Sequence, residues 1–181
     1  MEYNSIDDIY AFNDKSRARL LAVLAEVSPD ELEARPEGEK WNVKEIAEHL
    51  SLVEFGAGRI CAKLLEAAKT QGDKSDGSFA LTEDFGHKSL SIASMKVQAP
   101  ERVQPTGDVS LDESLQRLEA GREVIRMMRD DLVAHDLSDH KFPHPFFGDL
   151  TAAEWLVVLG GHEARHTKQI ERILTALRSE P

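Results

Sequence analysis

At 181 residues with 41% hydrophobic content, the chain can bury one apolar core without disulfides, so a single domain over 1–181 is expected. Its formal charge of −11, from 33 acidic against 22 basic residues with no basic run, repels phosphate backbones and argues against a nucleic-acid partner. The opening MEYNSIDDIY lacks the basic and apolar parts of a signal peptide, no apolar run reaches the roughly 18 residues that span a bilayer, and the lone Cys61 has no internal partner. A cytoplasmic protein with no membrane partner is the expectation.

The helix starts are legible. Ser5 with Asp8 and Asn42 with Glu45 are loose capping pairs, while Ser110 with Glu113 and Thr151 with Glu154 match the capping box. Trp41 with Ile46, and Leu150 with Trp155, read as hydrophobic staples across two of these starts. Helices are therefore expected over about 5–27, 42–68, 110–133 and 151–178.

The apolar spacing gives the same division. Val43, Ile46, Leu50, Val53, Ala57, Ile60 and Leu64 recur at alternating intervals of three and four, and Trp155, Leu159, His162, His166, Ile170, Ile173 and Leu177 repeat the pattern. Leu111, Leu115, Leu118, Ile125, Met128 and Leu132 mark the third helix, and Ile9, Phe12, Leu20, Leu24 and Val27 the less regular first. Four amphipathic helices bury their stripes against each other most simply as an all-α four-helix bundle of antiparallel helices. Residues 69–109 are too long for a tight connection, which implies a crossover between helices 2 and 3, with a short helix in 81–96 and at most short strands. The stretch from His135 to Leu150, with HKFPHPFFGDL, is expected to be irregular.

His162 and His166, four residues apart on the last helix's apolar stripe, lie on one face a turn apart. His49 sits beside Leu50 at the edge of the second stripe and also points inward. Three imidazoles from two facing helices suit a divalent ion with open coordination positions, the pattern of a catalytic rather than a closed structural site. The same residues spell HEARH, a match to the zincin motif, but only 15 residues follow His166 and the sequence continues TKQIE rather than supplying the extended third ligand. Glu163, about 100° around the helix from His162, reads as a solvated carboxylate. His87, His135 and His140 read as solvated, His144 as a turn residue with an outer-shell role as its alternative, and Cys61 as a buried hydrophobe rather than a nucleophile.

The runs WNVKEIAEHL at 41–50, HPFFGDLTAAEW at 144–155 and GGHEARHTKQIERI at 160–173 resemble the DinB-like branch of the DinB/YfiT-like superfamily over nearly the whole chain. The resemblance implies a four-helix bundle with a long crossover, a homodimer, and a metal on three histidines, which fall here on His49, His162 and His166. It leaves the reaction open, because members include thiol transferases and metal-dependent hydrolases.

The expected function is that of a metal-dependent enzyme, a thiol-dependent S-transferase or hydrolase acting on a small-molecule substrate, with catalytic side chains unassigned. Its cofactor would be Zn, Ni, Fe or Mn, with a low-molecular-weight thiol as cosubstrate. The alternatives are a non-enzymatic metal-binding or stress-related protein and, behind it, an HExxH-type metalloprotease.

Overall fold

A computed structural model of the chain describes residues 3–86 and 98–179. Four long helices make the bundle: α1 (Ile6–Ala25), α3 (Val43–Gln71), α4 (Leu111–Met127) and α6 (Ala152–Ser179), with short α2 (Pro29–Glu33) and α5 (Arg129–Ala134) beside them. The caps form where the sequence places them. Ser5 accepts from the Asp8 amide, Asn42 and Glu45 make a reciprocal capping box, and so do Thr151 and Glu154. Ser110 accepts from the Glu113 amide, but the Glu113 side chain turns to Arg117 instead. Gly72, at φ +77, closes α3 in the left-handed conformation that favours glycine.

The helices are not all antiparallel. Contacts from α1 to α6 advance together, Asn13 with Leu156, Arg17 with Glu163 and Arg19 with Glu171, so this pair is parallel. Gly58 against Ile125 and Gly121 against Glu54 make α3 and α4 parallel as well. A parallel pair requires the connection between the end of α3 and the start of α4 to cover the length of the bundle. Residues 83–86 are helical, and the rest of the helix expected in 81–96 lies outside the described residues, as does His87.

Three further expectations are corrected. The third helix breaks at Met128 into α4 and α5. The segment before α6 is not irregular: β1 (Phe142–His144) pairs antiparallel with β2 (Gly148–Leu150), so the described strands lie here and not in 69–109. Pro143 is tolerated because a two-stranded ribbon is all edge, and Gly148 takes φ +80. His135 and His140 are buried rather than solvated: His135 donates from Nδ1 to the Asp131 carbonyl at 2.8 Å, and His140 Nε2 lies 2.8 Å from Asp73.

The core is divided. One apolar cluster holds Ile9, Leu64, Ile125 and Leu156; the other holds Leu20, Ile46, Leu118 and Ile170. Between them in all four helices sits a charged layer. Arg17 reaches Glu163 at 2.7 Å and Glu54 at 3.0 Å, and Arg122 reaches Glu54 at 2.8 Å, all with side chains no more than 5% exposed.

Beside this layer α1 and α6 approach closely at Gly160. A Cβ there would stand 1.9 Å from Asn13 Oδ1 and 2.9 Å from Phe12, while Asn13 donates to the Leu156 carbonyl. Gly160→Ala is expected to destabilise by about 1–3 kcal/mol through overpacking, against a near-neutral Gly161→Ala next to it, measured by urea unfolding.

Cys61 is fully buried, and that burial pushes its thiol up to about 12. It is expected to stay unreactive toward a disulfide reagent in the folded chain and to react stoichiometrically once denaturant is added.

Candidate metal centre

The crossover is fastened to α3 by one glutamate. Glu48, buried in the first turns, accepts from the Thr106 amide and hydroxyl and from the Gly107 amide, each at 2.9 Å. The turn so held presents the Val103 carbonyl 2.6 Å from Nδ1 of the next residue, His49. A carbonyl only accepts, so His49 carries its proton on Nδ1 and leaves Nε2 with a free lone pair. His166 is set in the same way. Its Nδ1 donates to Gln169 Oε1 at 2.8 Å, and Gln169 in turn donates to Glu39 at 3.0 Å.

The three histidines singled out by spacing come together. Each offers a ring nitrogen within 4.8 Å of the others, and Nε2 of His49 and His162 are 3.1 Å apart. Their ring centroids stand 4.5–5.0 Å from one another, and Trp41 covers His49 with its centroid at 4.7 Å. Burial holds all three in the neutral form that a metal ligand needs. His49 is lowered, His162 well lowered, and His166 is brought down to about 3, with neighbouring histidines adding to the effect on the last two.

The donor set fits a divalent ion. Two nitrogens bound to one tetrahedral ion at about 2.0–2.1 Å stand roughly 3.3 Å apart, close to the His49–His162 separation. Nδ1 of His162 is buried with no hydrogen-bond partner, so this ring is held only through Nε2 and its packing on the other two imidazoles.

Glu163 is the clearest correction at the site. It is 1% exposed rather than solvated, and its carboxylate lies in the charged layer with Arg17 and Arg122. Burial raises its pKa, with Arg17 opposing. The zincin arrangement needs that carboxylate as a free base beside the ion, and here its Oε2 is held by Arg17 and Arg122 inside the charged layer. His144 accepts at Nδ1 from the amides of Phe146 and Phe147 and packs on Trp155, which makes it the organiser of the hairpin turn. Val103, Gln169 and Glu48 were not singled out by the sequence reading; only Gln169, three residues beyond His166 on the same helix, had a spacing that pointed to it.

Comparison with known proteins gives one consistent picture. A family model described as the DinB superfamily matches residues 13–170. An uncharacterized Bacillus subtilis protein, YuaE, is 25% identical over 151 residues, which cover 81% of this chain and 85% of that one. The crystal structure of TT2238, described as a four-helix bundle protein, is similar with a TM-score of 0.63 and 26% identity, over 93% of this chain and 99% of that one.

Proposed function

The chain belongs to the DinB superfamily, and from that premise we propose that it is a metal-dependent enzyme whose ion is held by His49, His162 and His166. The observation that carries this reading is the convergence of three neutral imidazoles, two of them with lone pairs fixed inward by Val103 and Gln169. A divalent ion such as Zn, Ni, Fe or Mn supplies acidity, bringing a thiol or water toward its anionic form near neutral pH. The chain's own residues do the rest. Trp41 covers one side of the ligands, the Val103 carbonyl and the Gln169–Glu39 relay orient the imidazoles, and no protein nucleophile is required, consistent with the inert Cys61.

The reaction proposed is transfer of a low-molecular-weight thiol to a small electrophile, or hydrolysis of one. The metal-loaded chain, incubated with simple thiols and model electrophiles, is expected to convert them. His166→Ala should not, and no conversion by the wild type with any thiol or water would favour the non-enzymatic alternative.

Glu48→Ala removes the anchor of the turn that holds His49. Metal affinity is expected to fall by about 10–100-fold while helicity is kept, as read by competition with a chromophoric chelator. A homodimer is also part of the proposal, with Phe55, Val124 and Met127 exposed on the α3–α4 face. Light scattering should give twice the chain mass, and a monomer mass at every concentration would remove that part. No described helix is long and apolar enough to cross a membrane.

A further inference from the structure

The chain has twelve arginines, and nine hold a carboxylate in an ion pair. Among the described residues the exceptions are Arg59, whose guanidinium lies over Phe55, and Arg102 and Arg165, which have no ion-pair or hydrogen-bond partner. In a chain of net charge −11, two unpaired guanidinium groups call for a reason. One lies on the helix that carries two of the histidines and the other on the turn that holds the third. Arg165 follows His162 by three residues on α6 and precedes His166, on the side of the helix away from Glu163. Arg102 precedes Val103, the residue whose carbonyl holds His49.

The electrostatics agree with this placement. The charge of Arg165 acts on His49, His162 and His166, and that of Arg102 acts on His144, which in turn acts on His162. The nearby carboxylates are already engaged: Glu39 with Arg172 and Gln169, Glu48 with the 106–107 amides, and Glu163 with Arg17 and Arg122. Around the ligands this leaves Arg165 and Arg102 as uncommitted cations, with the exposed Glu101 next to Arg102.

We propose that Arg165 and Arg102 form an anion subsite beside the three histidines, which binds a carboxylate of the small molecule handled there. This deepens the metal-enzyme reading and rests on it for the identity of the site. An exposed, unpaired guanidinium keeps both edges of its planar fork free for bidentate recognition of a carboxylate. A substrate or thiol cosubstrate carrying a carboxylate would be oriented by the arginines, with its reacting atom toward the histidines.

The test uses the metal-free full-length chain with succinate as probe, at constant pH and ionic strength, following the imidazole C–H signals of His49, His162 and His166 by NMR. Saturable shifts are expected with succinate and not with uncharged succinamide. Apparent affinity should fall by about tenfold or more in R165Q and also in R102Q, and stay unchanged in R129Q, whose arginine pairs with Asp7 away from the site. Succinate that leaves the wild-type signals unmoved, or that moves them equally in R165Q, would overturn the proposal. Metal stoichiometry is measured separately, so a chain that binds succinate but no ion would refute the metal reading and leave the anion subsite standing.

Discussion

Replacing Glu163 with alanine is expected to destabilise the fold by about 3–5 kcal/mol, among the largest effects of any single substitution away from the apolar core. The reason is what it leaves behind. Arg17 and Arg122 are 4% and 1% exposed, and Glu163 accepts from both, so its removal strands part of their charge between two apolar clusters. Glu54 compensates only in part, because Arg17 and Arg122 already share it. Arg122→Met should cost a similar amount by stranding Glu54. In the double variant Glu54→Met/Arg122→Met the two losses should be far from additive, since the pair leaves together. Urea unfolding of the two single variants and the double variant checks this, and near-zero coupling would show that the layer is not a connected network.

A second large effect is expected from the ion. At a free concentration 100 times its dissociation constant, a divalent metal bound only to the folded chain adds about 2.7 kcal/mol. For a domain of this size, that raises the melting temperature by roughly 5–10 °C. His162→Ala should abolish the rise and lower the metal-free melting temperature by less than the lost increment, because the ring gives up its packing and the contact with His49 Nε2 but no bond at Nδ1. The contrast matters: a variant that lost metal binding and at least as much metal-free stability would have a folding defect rather than a ligand defect.

Much of this was legible in the chain. The caps at Ser5, Asn42, Ser110 and Thr151 and the apolar intervals of three and four set the four helices, because both are local properties read along one helix. The His162–His166 pair was legible for the same reason, and His49 followed from its place beside Leu50. What stayed hidden depends on which residues meet across helices. Glu163 resembles any surface glutamate until Arg17 and Arg122, 146 and 41 residues away, are brought beside it. The two arginines sit at apolar-stripe positions of α1 and α4, between Tyr10 and Leu20 and between Leu118 and Ile125, and that pattern break was the available signal. The hairpin before α6 was missed because each strand has only three residues, too few to show alternation. The break at Met128 carries no proline or glycine, so no local punctuation marks it.

The central claim is that one divalent ion binds on three imidazoles, and X-ray absorption on the zinc-loaded chain tests it most directly. At one ion per chain, the account predicts a first shell containing three histidine nitrogens at about 2.0–2.1 Å, reduced to two in His49→Ala. A shell dominated by carboxylate oxygen, or one unchanged in His49→Ala, would contradict it.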